Sequence, residues 1–370
     1  MASAPARGAH RIDGVDLLRM LAILFVLMNH VNVRLSISKV PFKQGMPQQL
    51  VHALFNNGQN GVRIFFAISG FLITSMSLRR WGKLSAIDLR LFYRLRFARI
   101  APLLLTLLAV LSLLHAGHVS DYVISDQRGG FWPALFAALT FHINLQEATH
   151  GYLPGSWDIL WSLSVEEVFY IGFPLACLIL RRKALLILLL IAFVAIGPFA
   201  RTVLAHGNGL WSDYSYLSGM DAIALGCLTA IFLEGRQFPR KARFACAITG
   251  AALMILILGF GTNAIGRTGL DMTILALGTC LLIVPAAQSN LRGPQLLLIP
   301  GRNSYEVYMT HMFVVFAGLH LFIMAGKPMW GVPLYFIGAV VTATLVGALI
   351  ARYFSEPVNQ WLRGASGKTS

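Results

Sequence analysis

The first apolar segment, residues 16–30 (DLLRMLAILFVLMNH), carries three ionisable side chains, Asp16, Arg19 and His30. Ionisable groups are costly in hydrocarbon, so such side chains face a bundle interior or a water-filled cavity. In an α-helix, Arg19 and His30 point within about 20° of each other and lie about 16 Å apart along the axis, with Asp16 about 40° further round. The sequence therefore predicts a polar cavity lined by this helix, which we interpret as an active site.

A later apolar segment, residues 161–170 (WSLSVEEVFY), carries two adjacent carboxylates. Ser162, Glu166 and Tyr170 follow one another at intervals of four residues and therefore share one face of a helix. A carboxylate at membrane depth is costly unless it is paired or hydrated. Glu166 and its neighbour Glu167 predict either a polar site, where a carboxylate orients a histidine or binds sugar hydroxyls, or a structural ion pair with an arginine of a neighbouring span.

The segment 304–311 (SYEVYMTH) places Tyr308 and His311 on one helix. A lone histidine on a helix is often a packing residue. At lipid depth, however, an ionisable side chain is a candidate for a functional site, and both interpretations stay open.

The segment 65–74 (FFAISGFLIT) is an aromatic and aliphatic run that Ser69 and Gly70 interrupt. Small residues of this kind are typical of a packing notch between membrane helices, and they are also suited to the wall of a cavity. Arg63, just before the run, is expected to extend its charge towards the membrane surface.

The most basic segment, 79–99, holds seven of the 30 Lys and Arg residues. Its last two arginines, Arg96 and Arg99, precede Pro102. A cytoplasmic loop needs some positive charge to orient its neighbouring spans, but seven cations exceed that need. Because arginine binds phosphate bidentately, the segment predicts a site for a phosphate-bearing donor or for anionic headgroups. Glu356, near the end of the last apolar segment, is expected to pair with these arginines.

The overall composition is that of a polytopic membrane protein. The 370 residues are 56% hydrophobic and only 12% charged, whereas soluble domains contain about 25% charged residues. The formal net charge of +15 could suggest a nucleic-acid partner, but the basic residues lie in short loops between apolar segments. We therefore expect a lipid bilayer and no nucleic acid as partner. Histidines, cysteines and acidic residues show no metal-ligand spacing, so no metal site is predicted.

The apolar segments predict an all-α protein with about ten transmembrane helices. With the N-terminus in the cytoplasm and 131–145 as a re-entrant or interfacial segment, 21 of the 30 Lys and Arg residues lie on the cytoplasmic side and seven lie outside, as the positive-inside rule requires. Both termini are then cytoplasmic. We expect 1–14 as a cytoplasmic segment, 15–356 as a single transmembrane domain and 357–370 as a cytoplasmic tail, with no separate soluble domain. The predicted spans lie near 15–34, 60–78, 99–116, 160–180, 184–204, 217–234, 243–261, 271–289, 304–324 and 331–354.

In this order and at these intervals, the motifs resemble the integral-membrane acyltransferase family 3, over nearly the whole chain. The first departure from the family's pattern is Leu17, where a Gly is common, and the second is Leu95-Arg96, where an Arg pair is common. The second departure leaves open which arginines bind the donor. The motifs that carry the resemblance are Asp16-x-x-Arg19-x(10)-His30, FFAISGFLIT at 65–74, R-x-x-R-I-x-P with Arg96, Arg99, Ile100 and Pro102, WSLSVEEVFY at 161–170, SYEVYMTH at 304–311 and FSEP at 354–357.

The resemblance implies an O-acyltransferase (O-acetyltransferase) of a bacterial cytoplasmic (inner) membrane. Such an enzyme moves an acyl group, usually acetyl, from cytoplasmic acyl-CoA to a hydroxyl of a glycan, glycolipid or related acceptor, often on the opposite side of the membrane. No metal is implied, because a thioester is already activated. The implied roles are catalysis by His30 and Glu166, donor binding by Arg19, Ser69, Arg96, Arg99, Tyr308 and His311, and support by Asp16, Glu167 and Glu356.

His30 suits the central role in that chemistry, because imidazole titrates near neutrality and can remove a proton from an alcohol. A transient acyl carrier is the alternative role. Glu166 would orient the imidazole or the acceptor. The donor would extend along the first helix, with its phosphates near Arg19 and its thioester near His30.

Two other function classes fit the same residues. A transporter of a small polar or anionic solute also carries polar groups at mid-membrane, although the sequence shows no inverted repeat. A non-catalytic membrane subunit would tolerate substitution of Arg19 and His30 and would bind no CoA.

Overall fold

The computed structural model describes residues 12–260, 263–289 and 292–364, and these ranges contain eighteen α-helices and no β-strand. The outer parts of the two predicted terminal segments, 1–11 and 365–370, lie outside the described residues. In chain order the helices are α1 (Asp13–Ile37), α2 (Gln48–Phe55), α3 (Gly58–Trp81), α4 (Leu89–Ala116), α5 (Phe131–Leu139), α6 (Ile143–His150), α7 (Gly155–Asp158), α8 (Leu160–Leu180), α9 (Lys183–Thr202), α10 (Gly209–Tyr214), α11 (Tyr216–Leu233), α12 (Arg240–Phe260), α13 (Asn263–Gly266), α14 (Leu270–Gln288), α15 (Gln295–Arg302), α16 (Ser304–Met324), α17 (Gly331–Ile350) and α18 (Glu356–Gly364).

Within the described ranges, ten helical segments are long and apolar enough to cross a membrane. A span needs about 20 apolar residues, and each of the ten predicted spans coincides with one of these segments. Seven segments are single helices. The other three are interrupted, and they comprise α7 with α8, α10 with α11, and α17 with α18. The prediction of an all-α polytopic membrane protein is confirmed.

The segment 131–145 forms parts of two short helices, α5 and α6, of 9 and 8 residues. Phe141 lies between them with a left-handed φ of 59°. Each helix is less than half the length that a span of about 20 residues requires, so the prediction that this stretch is not a span is confirmed. Trp132 and Phe136 on α5 are 75% and 62% exposed, which leaves an aromatic face outside the bundle.

Helices α3 and α11 approach each other at two glycines. A Cβ atom added at Gly70 would clash with the Ile223 carbonyl oxygen, and one added at Gly226 would clash with the Ala67 carbonyl oxygen. Close backbone contact of this kind is how small residues drive helix association in membranes, where apolar surface alone gives no preference for protein over lipid. Gly70 is therefore a packing notch, whereas Ser69 beside it lines a cavity.

The expectation that Arg63 extends to the membrane surface is wrong, because its side chain is completely buried. Its guanidinium donates to the carbonyl oxygens of Ser218 (2.8 Å) and Asp213 (2.7 Å), which lie where α10 gives way to α11. A second buried arginine, Arg201, donates to the same Ser218 oxygen (2.6 Å) and pairs with Asp221 (2.7 Å). The interrupted span thus offers backbone acceptors that hold both cations inside the bundle.

The predicted boundary between the membrane domain and a tail, at 356/357, falls inside a helix. A π-helical turn, Ala351–Ser355, follows α17, and α18 then continues as far as Gly364. Pro357 does not end the helix, and the backbone continues through the π-helical turn before it, a turn type that occurs inside α-helices. The extra helical length carries Asn359 and Arg363 to the cavity that Ser69 lines.

We expect Gly70→Ala to lower the unfolding temperature of the purified protein in detergent, because the added methyl group forces α3 away from α11. Overpacking of this kind destabilises proteins by about 1–3 kcal/mol. Gly338→Ala is the matched control, since a Cβ atom at this position of α17 meets nothing within 4 Å. An unchanged unfolding temperature for Gly70→Ala, or an equal loss for Gly338→Ala, would contradict the proposed packing.

Candidate active site

A polar cavity of about 550 Å³ lies at the end of the bundle where α1 begins. Helices α1, α3, α4, α8, α16 and α18 contribute to its wall. Three of the predicted site residues, His30, His311 and Glu167, do not line it. The eight that do are Asp16, Arg19, Ser69, Arg96, Arg99, Glu166, Tyr308 and Glu356.

The wall of this cavity carries more positive than negative charge, with six arginines and four carboxylates. An excess of arginine in a partly buried site suits a ligand with several phosphates, because charges interact more strongly away from bulk water. Arg96 and Arg99 face the cavity, whereas Arg90 and Arg94 are exposed. The arginines of the wall are Arg19, Arg80, Arg96, Arg99, Arg302 and Arg363, and the carboxylates are Asp16, Glu166, Glu306 and Glu356.

Helix α1 presents its polar stripe to α16, as the helical periodicity predicts. Arg19 Nε donates to Ser304 Oγ (3.1 Å) at the start of α16. About three turns further along α1, the His30 ring lies 5.0 Å from the His311 ring on α16, measured between centroids. Two helices therefore hold both the cation and the imidazole, one at each end of a shared interface.

Asp16 joins this stripe to a residue that the sequence did not single out. Its carboxylate lies 3.6 Å from the Arg19 guanidinium and 3.5 Å from the Arg302 guanidinium. Arg302 also pairs with Asp13 (3.0 Å). Because Asp16 is almost fully buried, the two arginines supply the positive charge that a buried carboxylate requires.

Arg99 forms an ion pair with Glu306, a carboxylate on α16 that is completely buried. Its two terminal nitrogens donate to the two oxygens of Glu306 at 2.7 and 3.3 Å. The Tyr305 hydroxyl, next to Glu306, donates to the Ile100 carbonyl oxygen (2.8 Å). This bidentate pair fixes α4 against α16 and leaves Arg99 with little net charge to offer a ligand.

Arg96 has a different environment, because it lies over an aromatic ring. Its guanidinium carbon is 4.2 Å from the centroid of Tyr170, a cation–π contact. The Tyr170 hydroxyl contacts Ser69 Oγ and lies 3.4 Å from Glu166 Oε1. Stacking on Tyr170 orients the guanidinium at the cavity wall, where it interacts with Glu166 and Glu167 at longer range and, unlike Arg99, forms no close ion pair among the described residues.

The structure does not bring Glu166 to His30. Glu166 faces the arginine-lined cavity, where Tyr170 donates to it, and no hydrogen bond or ion pair joins it to His30 among the described residues. Glu167 is buried and does not line the cavity. His311, rather than a carboxylate, is the ionisable side chain in contact with the His30 ring.

Tyr308 lies between the cavity and the two histidines. Its hydroxyl is 2.7 Å from Ser162 Oγ and donates to the Ile159 carbonyl oxygen (3.0 Å). Its ring centroid lies 5.6 Å from that of His311. Tyr308 is thus the cavity residue in contact with the histidine pair.

The backbone fixes the tautomer of neutral His311. Its Nδ1 lies 2.6 Å from the Tyr308 carbonyl oxygen, and a carbonyl can only accept, so Nδ1 carries the hydrogen. Nε2 then holds the lone pair. It is buried and has no hydrogen-bond partner in the part of the chain that the structure describes, which leaves a nitrogen lone pair available near His30.

Comparison with known proteins identifies the family of this chain. The family model described as "Acyltransferase domain" matches residues 12–352. The chain belongs to this acyltransferase family. The O-acetyltransferase OatA of Staphylococcus aureus, from strains NCTC 8325 / PS 47, COL and MRSA252, is 23% identical over 368 residues, covering 94% of this chain and 57% of the relative. This chain therefore spans little more than half the length of the curated relatives it matches, and no solved structure matches it.

A second polar cluster of this acyltransferase-family protein lies beyond the histidines. Arg34, one turn past His30 on α1, interacts with the Asp158 carboxylate at the end of α7. Asp158 also accepts from the Tyr214 hydroxyl (2.8 Å). The completely buried Glu147 lies beside Asp158, and its Oε1 accepts from a backbone N–H (2.9 Å). We name Arg34, Glu147 and Asp158 the distal cluster.

Several polar residues of the family member's site escaped the sequence analysis. Ser304 and Glu306 belong to the SYEVYMTH motif, so that motif was a usable signal for both residues. Arg302 and Arg363 were counted only for membrane orientation. Among the described residues, no group of three or more His, Cys, Asp or Glu side chains is arranged to hold a metal ion.

We expect Glu147→Gln to raise the unfolding temperature at pH 8 and to leave it unchanged at pH 4. Burial and the neighbouring Asp158 carboxylate raise the pKa of Glu147 well above its usual range. At pH values between the pKa of Glu147 in the unfolded chain and its higher pKa in the folded protein, the folded protein binds one proton more than the unfolded chain. The free energy of unfolding of the wild type therefore falls as the pH rises through this range. Glutamine keeps the acceptor oxygen, gives Asp158 a donor and cannot ionise.

Thermal unfolding in detergent across this pH range measures the effect. Glu234→Gln, which removes an exposed carboxylate paired with Lys183 (2.5 Å), controls for the loss of one negative charge. A Glu147→Gln variant that unfolds below wild type by the same amount at every pH would contradict a protonated, buried Glu147.

Proposed function

We propose that this protein is a membrane O-acyltransferase that moves an acyl group, acetyl in the first instance, from acyl-CoA to a hydroxyl of a carbohydrate or related acceptor. The observation that carries the proposal is the α1–α16 interface, which holds Arg19 in an arginine-lined cavity at one end and His30 against His311 at the other. Membership of an acyltransferase family supports an enzyme over the transporter and the non-catalytic subunit. The name of the relatives, O-acetyltransferase, supports acetyl.

The arginine-lined cavity is the proposed donor site. CoA carries three phosphate groups, and guanidinium groups bind phosphate with paired hydrogen bonds. The volume of about 550 Å³ lies within the range of about 300–1,000 Å³ that is usual for small-molecule sites. Arg96 is the stronger candidate for a direct phosphate contact, because Glu306 already neutralises Arg99.

The histidine pair is the proposed site of chemistry. His30 takes the proton of the acceptor hydroxyl, the oxygen attacks the thioester carbonyl carbon, and the carbon–sulfur bond breaks. The imidazolium then returns the proton to the departing sulfur, so that CoA leaves as a thiol. His311, whose Nδ1 is fixed on the Tyr308 carbonyl oxygen, positions the His30 ring. In the alternative, a His30 ring nitrogen attacks the thioester carbon and CoA leaves as a thiol, and the acceptor hydroxyl then attacks the acyl-imidazole and releases free His30.

The donor must pass Tyr308 to reach His30. Neither histidine lines the cavity, and Tyr308 is the cavity residue that contacts His311. We therefore propose that the thioester arm displaces the Tyr308 side chain from Ser162 and Ile159 when it enters.

The acceptor approaches from the distal cluster. Carboxyl groups and an arginine, with Tyr214 beside them, present the donors and acceptors that sugar hydroxyls require. In the predicted topology this end of the bundle lies outside the cytoplasm, so donor and acceptor enter from opposite faces of a bacterial cytoplasmic membrane. The organism of the relatives supports that location.

We expect His30→Ala to lower acyl transfer by at least about 100-fold, the usual effect of removing a general base. Inside-out membrane vesicles containing each variant receive radiolabelled acetyl-CoA, and label in cell-envelope glycans is counted. His118→Ala, at an exposed loop position, is the matched control. Transfer at the wild-type rate by His30→Ala protein, with an unfolding temperature equal to wild type, would end the assignment.

Arg96→Ala and Arg99→Ala should separate into a binding defect and a stability defect. Losing one charged hydrogen-bonding partner weakens CoA binding by roughly 10- to 100-fold, and we expect this for Arg96→Ala without a change in unfolding temperature. Arg99→Ala leaves the buried Glu306 unpaired, which costs about 3–5 kcal/mol. The double variant Arg99→Ala/Glu306→Gln should regain part of that stability.

Isothermal titration with CoA and thermal unfolding in detergent measure the two quantities. An Arg96→Ala variant with wild-type CoA affinity and a reduced turnover rate would place Arg96 in the chemical step instead. Equal loss of stability in both single variants would contradict the distinction between them.

A further inference from the structure

An apolar groove of about 350 Å³ lies on the outside of the bundle, and it shares no lining residue with the arginine-lined cavity. All nine residues of its wall are apolar. Met28 comes from α1, Phe42 from the loop after α1, Phe55 from α2, and Phe336 from α17. The groove therefore lies where α1, α2 and α17 meet, beyond the middle of α1.

The groove is open to the outside of the bundle. Ile337 on α17 and Met329 in the preceding loop belong to its wall and are 61% and 50% exposed. Trp330, next to Met329, is 75% exposed, as is typical of residues at a membrane–water boundary. Flexible methionine side chains adapt to chains of variable shape, so the groove suits a hydrocarbon tail.

Two lysines bind the end of α1 near this groove. Lys43 Nζ donates to Ser36 Oγ (3.1 Å) and lies 5.6 Å from the centroid of Phe42, a groove residue. Lys327 Nζ donates to the Ser38 carbonyl oxygen (3.2 Å). Both ammonium groups are thus held within the same turn of chain, next to the mouth of the groove.

No carboxylate balances these lysines. The sequence has no acidic residue between Asp16 and Asp88 or between Glu306 and Glu356, so the segments that form the groove and its rim carry none. Within the described residues, neither lysine forms an ion pair. In the predicted topology this rim lies outside the cytoplasm, where lysine is scarce. Two lysines at this position therefore favour the binding of an anionic ligand.

We infer that the groove binds an anionic phospholipid of the bilayer, with its phosphate between Lys43 and Lys327 and one acyl chain along Phe42 and Phe336. Hydrocarbon below and cations above match the two ends of such a lipid. A second copy of this chain is a poorer occupant, because a symmetric contact would bring the same lysines face to face. The inference is independent of the proposed acyl transfer.

Native mass spectrometry of the detergent-purified protein tests this inference, with titration of phosphatidylglycerol against phosphatidylcholine of the same acyl chains. We expect wild type to retain phosphatidylglycerol preferentially and Lys43→Gln/Lys327→Gln to lose about 30-fold in that preference, since each lysine near an anionic lipid contributes on the order of fivefold. Lys83→Gln/Lys241→Gln is the matched control, because it removes two exposed lysines that lie far from the groove in the chain.

A second variant tests the apolar end of the site separately. Ile337→Trp fills the groove from an exposed position and should reduce retention of both lipids without changing the unfolding temperature. Wild-type lipid preference in Lys43→Gln/Lys327→Gln would overturn the inference. An equal loss of lipid preference in the Lys83→Gln/Lys241→Gln control would also overturn it. The same holds if the wild-type protein is a lipid-free dimer that Ile337→Trp dissociates, because a second copy of the chain would then occupy the groove.

Discussion

The cost of placing ionised side chains in hydrocarbon is the constraint on which this structure depends. Arg19, Asp16 and His30 lie in a mostly apolar stretch of α1, and they are tolerable only where other polar groups surround them. Helix α16 supplies those groups, with Ser304 against Arg19 and His311 against His30. The packing of α1 on α16 is therefore required by the chemistry of the side chains as much as by the apolar surface between them.

The SYEVYMTH motif of α16 contacts several neighbouring helices. Glu306 neutralises Arg99 of α4, the Tyr305 hydroxyl binds the backbone of α4, and Tyr308 reaches the beginning of α8. One turn of this helix thus connects the walls of the cavity, and the next turn presents His311 to His30. Because Ser304 and Glu306 hold arginines of two neighbouring helices, a motif that resembles a catalytic signature also encodes the geometry of its own surroundings.

The sequence predicts what lies on one helix better than what meets across two. The ten spans, the short 131–145 segment and the shared direction of Arg19 and His30 all follow from length, charge and helical period, and the structure agrees with them. The partner of His30 does not follow, because no rule of spacing says which helix packs opposite: Glu166 was one of the expected partners, and His311 is found. Arg63 shows the same limit, since its acceptors are carbonyls exposed by a break between two helices.

The position of Tyr308 has a consequence for the membrane itself. An unbroken aqueous path from the arginine-lined cavity to the opposite face would conduct protons and small ions and so discharge the electrochemical gradient across the membrane. Tyr308 belongs to the cavity wall and contacts His311, Ser162 and Ile159 hold its hydroxyl, and an aromatic constriction opposes the passage of water. An aromatic side chain held at this point therefore works against ion leakage, because the arginine-lined cavity lies on one side of it and the histidines on the other.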